Sequence, residues 1–131
     1  MQSISLDTET LDWMPGSPFY GPGAIFAGRE VVRLKILSDR RAEGGGIAWL
    51  LARMTPPEGK VIRIVAVALS DEHTLNLEGG RGTRSGRRLR TSGNYGLNSK
   101  SKPHSAFIGT ERHWVVYTGE PDAIRSIEVI D

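Results

Sequence analysis

The chain has 131 residues, 38% of them hydrophobic, with seventeen basic and fifteen acidic side chains and no cysteine. That length supports one domain with a single core and no crosslinks, and the lack of cysteine excludes disulfides, thiolate metal sites and a cysteine nucleophile. No basic N-terminal segment leads into an apolar stretch and no apolar run reaches the ~20 residues of a span, so no membrane association is expected and the default location is cytoplasmic.

Residues 1–17 mix polar and apolar positions without a helical period and end in the punctuation Pro15-Gly16-Ser17-Pro18. They read as a leader, with residues 18–131 as the domain itself. A turn over Phe19–Gly23 and a short strand over Ala24–Ala27 follow. From Glu30 to Leu37 the side chains of Val32, Leu34 and Ile36 share one face and Arg33 and Lys35 the other, the alternation of a strand with one wet side. Gly46 to Met54 alternates again, with Trp49, Leu51 and Arg53 on one face. The prolines of Thr55-Pro56-Pro57-Glu58-Gly59 make a rigid connection.

Val61 to Leu69 is apolar on both faces apart from Arg63, which predicts a central strand covered on both sides. His73–Leu77, Tyr95–Leu97, Ser105–Ile108, His113–Tyr117 and Ile124–Ile130 read as further strands, and Pro121–Ile124 as one helical turn at most. Gly79-Gly80 and Ser85-Gly86 supply the backbone angles of tight reversals. About ten short strands between turns predict an all-β sandwich or small barrel.

Two spacings carry a more specific signal. Glu72 is followed after six residues by Gly79, and Gly93 after five residues by Ser99-Lys100-Ser101 and then, two residues on, by His104. These spacings resemble the tail of the first cupin motif, G(x)5HxH(x)3-4E(x)6G, and the second, G(x)5PxG(x)2H. The earlier stretches Asp12–Gly16, Pro22–Ala24, Val32–Leu37, Trp49–Arg53 and Pro56–Gly59 resemble the lead-in of ChrR-type cupins, a group that includes relatives of acetylacetone dioxygenase. The resemblance runs from about Asp12 to Glu120. It implies a cupin jelly-roll barrel, the RmlC-like double-sheet architecture, a leader over residues 1–17 that packs on the barrel or on a partner subunit, and a homodimer.

In metal-bearing cupins the paired histidines and glutamate of the first motif join the histidine of the second around one divalent ion. Counting back from Glu72, those histidines fall at Ala66 and Ala68, or at Val65 and Val67, and none of these can ligate. Only Glu72 and His104 match, so the expectation is a degenerate site with no cofactor; the alternative is a divalent transition metal, Fe, Zn, Mn or Ni, held by His104 and Glu72 with further ligands.

The expected function is binding of a small organic molecule in the barrel, with Glu72 and His104 as a proton-transfer pair for metal-independent lyase or isomerase chemistry. A metal-dependent dioxygenase of the acetylacetone-cleaving type is the runner-up. Arg63, Trp49, Tyr95 and Arg53 are candidate ligand contacts, the arginines for a carboxylate and the aromatics for flat apolar groups. Trp49 reads more readily as core, and Arg63 as half of a salt bridge.

A reading from another class rests on charge. Arg81, Arg84, Arg87, Arg88, Arg90, Lys100 and Lys102 are seven basic residues with no acidic one among them, while the remaining ten basic residues face fifteen acidic ones. Such a segment binds an anionic partner or nucleic acid in a salt-dependent way. Tyr95 is its one aromatic, too few for a stacking platform, and nucleic acid is therefore not the expected partner.

Overall fold

The computed structural model describes residues 3–26, 28–53, 61–79, 93–108 and 111–130. Among these the strands are, in chain order, β1 (Met14–Pro15), β2 (Ile25–Phe26), β3 (Arg29–Glu30), β4 (Val32–Asp39), β5 (Ile47–Arg53), β6 (Val61–Val67), β7 (Glu72–Gly79), β8 (Tyr95–Asn98), β9 (Pro103–Ile108), β10 (Glu111–Tyr117) and β11 (Ala123–Ile130). Helix is confined to α1 (Ser17–Tyr20) and 3-10 turns at Thr8–Thr10, Pro22–Ala24 and Arg41–Glu43. Residues 121–124 form no helix; they lead into β11. The arginine-rich stretch from Arg81 to Arg90 lies outside the described residues, whereas Lys100 and Lys102 are exposed.

All pairings are antiparallel, as all-β chains with short connections favour. A six-stranded sheet runs β1-β4-β5-β10-β7-β8 and a three-stranded sheet runs β11-β6-β9. β2 and β3 form a separate hairpin. The strand alternation read from the sequence sets the inner faces. On β4 the buried residues are Val32 and Leu34, on β5 Ile47, Trp49 and Leu51, and on β10 Glu111, His113, Val115 and Tyr117.

From the smaller sheet come Ile64 and Ala66, with Ile124 and Ile127 packed beside them. The core lies between the two sheets. β6 is central in its sheet, yet Arg63, Val65 and Val67 are only half-buried. The expectation of cover on both faces is corrected: an antiparallel strand with one wet face is what formed.

The six-stranded sheet is closed at one end by a close backbone approach. A Cβ added at Gly46 would sit 1.8 Å from the Tyr117 carbonyl oxygen, so only glycine fits there. On its outer face the leader is held by Trp13, with Lys35 Nζ 4.9 Å and Arg112 Cζ 5.3 Å from ring centroids on the indole. Lys35 also donates to the Thr8 carbonyl at 2.9 Å. Trp13→Ala should remove both cation–π contacts, about 0.5–1 kcal/mol for exposed Arg112 and up to ~2 kcal/mol for buried Lys35. The expected result is faster amide exchange over residues 3–12 with little change in the core strands. Unchanged exchange there would contradict this account of how the leader is held.

Candidate metal centre

Glu72 opens β7, His104 is the second residue of β9, and Asp122 immediately precedes β11. One ligand atom from each lies within 4.8 Å of the others. They meet because the two sheets converge at this end, and strand parity aims Glu72 inward. Its neighbour His73 faces the other way, where Nδ1 lies 2.6 Å from the Tyr95 hydroxyl. His73 is thereby excluded from the site.

Each member of the cluster is oriented by a hydrogen bond. Tyr117 donates its hydroxyl to Glu72 Oε2 at 2.8 Å, and Asn98 Nδ2 donates to Glu72 Oε1 at 2.7 Å. His104 Nε2 lies 2.9 Å from Asp122 Oδ2, and the Asp122 side chain is only 5% exposed. A carboxylate that accepts two hydrogen bonds is fixed in place with lone pairs still available.

The hollow at this cluster is walled by Leu51, Ile64, Ala66, Val115 and Ile124, with Tyr20, Thr74 and His113 adding polar atoms. Its interior offers about 30 Å³ of cavity volume. The inner part holds an ion or a water and is far below the ~300 Å³ of an organic-ligand pocket.

The donor set fits a divalent transition ion. One imidazole and two carboxylates are ligands that iron, manganese, nickel and zinc accept, and three protein donors leave coordination positions open. The expected metal-free pocket rested on two ligands, Glu72 and His104; the fold supplies a third, Asp122. Ala66, one of the positions where the resemblance places histidine, does face the hollow and pairs with His104 across β6 and β9.

The other candidate residues are placed elsewhere. Trp49 is 1% exposed in the core against Phe19 and Tyr117. Tyr95 is 56% exposed on the outer face. Arg63 alternates with the inward Ile64 and Ala66, opposite Glu128 and Phe107, and does not line the hollow. Arg53 ends β5, and its side chain lies outside the described residues.

Three features went unread in the sequence. Asp122 belongs to no motif. Asn98 and Tyr117 reach Glu72 from strands far along the chain. On β10, His113 faces the hollow, its Nε2 3.0 Å from Glu111 Oε1, with both side chains almost fully buried. The alternation of 111–117 left open which face is inner, because Trp114 and Val116 are as apolar as Val115 and Tyr117.

Burial, with Tyr20, Glu72 and Asp122 nearby, pushes the Tyr117 hydroxyl well above its usual pKa of 10.0. A tyrosine with a raised folded pKa stabilises the fold fully below its unfolded value, and the contribution is lost as pH rises from there through the folded one. Tyr117→Phe should cost about 1.5–3 kcal/mol near neutral pH, the worth of a hydrogen bond to a charged group. Above pH ~10 the gap between wild type and variant should shrink. Denaturant titrations on both sides of that pH check it; a gap that widens would refute the assignment.

No protein-family model and no curated protein matches the chain. Among solved structures, a protein of Methylibium petroleiphilum PM1 provisionally named an acetylacetone dioxygenase superposes with a TM-score of 0.61 at 16% identity, over 95% of this chain and 88% of that one. An RmlC-like cupin protein of Ralstonia eutropha JMP134 gives 0.63 at 15%, over 98% and 80%. Fe(II)-HppE with the alternative substrate (S)-1-HPP gives 0.56 at 13%, over 88% of this chain but only 60% of that one. No helix among the described residues is long and apolar enough to cross a membrane. Identities this low establish architecture alone, and the architecture they establish is the all-β, single-domain cupin fold.

Proposed function

We propose that this protein binds a divalent transition metal ion through Glu72, His104 and Asp122 and presents it to a small organic molecule seated at the barrel mouth. The observation that carries the reading is the convergence of three donors, from three separate elements, within 4.8 Å in a hollow of ion size. A bound ion supplies Lewis-acid polarisation of an oxygen ligand and acidifies a coordinated water. The chain's own residues do the rest. Tyr117 and Asn98 hold the Glu72 carboxylate, Asp122 orients the His104 ring until an ion would take the place of the proton between them, and the apolar side chains Leu51, Ile64, Ala66, Val115 and Ile124 limit the water that reaches the cluster.

Elemental analysis after reconstitution with iron(II), manganese, nickel or zinc tests this. Wild type should retain about one equivalent, the stoichiometry of a single three-donor site, and His104→Ala should lose it. A wild type that holds no stoichiometric metal overturns the proposal. The neighbours named as an acetylacetone dioxygenase and as Fe(II)-HppE direct the first activity assay to iron-dependent oxygen consumption.

The His104–Asp122 contact favours a second reading. A carboxylate-oriented imidazole beside Glu72 is the arrangement of a general base, and it supports metal-independent lyase or isomerase chemistry on the same small molecule. Metal-free wild type that accelerates proton exchange on a substrate, with the activity lost in His104→Ala, would select this reading.

A further inference from the structure

Glu72, His104 and Asp122 come from distant parts of the chain, and each stands at or beside a loop at the same end of the barrel. Holding three loops in fixed relation opposes the conformational entropy of their backbones. A short segment between β6 and β7, Ala68–Asp71, makes the connections to both of the other loops.

Toward the β8–β9 loop, the Ala68 carbonyl accepts from Ser101 N–H at 2.7 Å and Ala68 N–H donates to the Lys102 carbonyl at 3.2 Å. Asp71 Oδ1 accepts from Lys100 N–H at 2.8 Å. Ser101 holds a φ of 69°, a left-handed conformation that a serine adopts only when its surroundings impose it. This loop leads within two residues to His104.

Toward the β10–β11 loop, Asp71 N–H donates to Thr118 Oγ1 at 3.1 Å, and its carbonyl accepts from Thr118 N–H at 3.0 Å. Ser70, 6% exposed, donates its hydroxyl to the Glu120 carbonyl at 2.8 Å. Gly119 lets the loop approach closely, since a Cβ there would stand 3.2 Å from Ser70 Cβ. Two residues beyond Glu120 is Asp122.

We propose that Asp71 and Ser70 are positioning residues for the metal centre: Asp71 fixes the loop that delivers His104, and Ser70 fixes the loop that delivers Asp122, while the segment itself runs into Glu72. This rests on the metal-binding reading given above. The carboxylate of Asp71 is the strongest single element, because a backbone N–H held by an ionised oxygen is a charge-assisted bond.

Cobalt(II) titration, followed by its d–d absorption, tests the inference in the full chain. Asp71→Ala should weaken cobalt binding about 10- to 100-fold, the usual effect of removing a group that orients ligands, and should shift the absorption bands. Asp71→Asn keeps an Oδ1 acceptor and should restore the affinity and the spectrum, a rescue that a general loss of stability would not show. Ser70→Ala should weaken binding in the same way, and Glu43→Ala, on an exposed turn outside this network, should not.

Wild-type affinity and spectrum in Asp71→Ala would overturn the inference while leaving the metal site standing. Wild type that takes up no cobalt would overturn the metal site itself. Amide exchange on metal-free protein then still decides whether the clamp exists. The Lys100 amide should exchange faster in Asp71→Ala and be protected again in Asp71→Asn, with Thr118 unchanged as an internal control; a Lys100 amide indifferent to both changes counts against the clamp.

Discussion

Trp49→Ala should destabilise the protein by about 3–5 kcal/mol, the range for emptying a fully buried large aromatic. The indole fills the space between the sheets, with Phe19 of α1 at 5.0 Å and Tyr117 at 5.2 Å between ring centroids. Its removal withdraws support from the ring whose hydroxyl holds Glu72, so the loss should reach the candidate metal centre as well. The Trp49 N–H is buried without an acceptor among the described residues, a desolvation cost of about 1–3 kcal/mol. Trp49→Phe abolishes that cost while keeping an aromatic face, and should lose much less than the alanine variant. Denaturant midpoints of the three proteins check the order; equal losses for Ala and Phe would mean that the indole does not serve as the core's main filler.

The comparison of sequence and structure turns on which signals are local. Strand alternation is local, and it located β4, β5, β10 and β11 to within about two residues, because one face of each packs on a core. The relation of Glu72 to His104 was also legible through motif spacing, Glu72 lying seven residues before Gly79, which ends β7, and His104 eleven after Gly93, which precedes β8. Asp122 was not. Its role depends on the β10–β11 loop folding back to Ser70 and Asp71, a contact between chain segments about fifty residues apart that no period or spacing encodes. Tyr95, expected as an aromatic wall for flat apolar ligands, shows the same dependence on pairing. Parity on β8 is set by pairing with β7, Leu75 opposite Tyr95 and Glu72 opposite Asn98, which sends Tyr95 outward and Asn98 to Glu72. Register, unlike periodicity, cannot be read from one strand alone.

Removing one charge from the cluster should separate its structural role from its binding role. Glu72 and Asp122 bring two carboxylates within 4.8 Å in a largely buried hollow, and like charges so placed repel when no cation lies between them. Asp122→Asn preserves the shape and a hydrogen-bond acceptor for His104 while halving that charge. Metal-free Asp122→Asn should therefore be as stable as wild type or more so. With metal present the order should reverse. An ion that binds only the folded protein stabilises it by about 2.7 kcal/mol when supplied at a hundred times its dissociation constant, and loss of a ligand should weaken affinity beyond the ~100-fold typical of removing an outer partner. Wild type should then melt higher on adding zinc or manganese and the variant should not. Thermal melts of both proteins with and without the ion read the two effects in one experiment. A variant that is less stable without metal and equally stabilised by it would show that Asp122 serves the fold through His104 and takes no part in holding an ion.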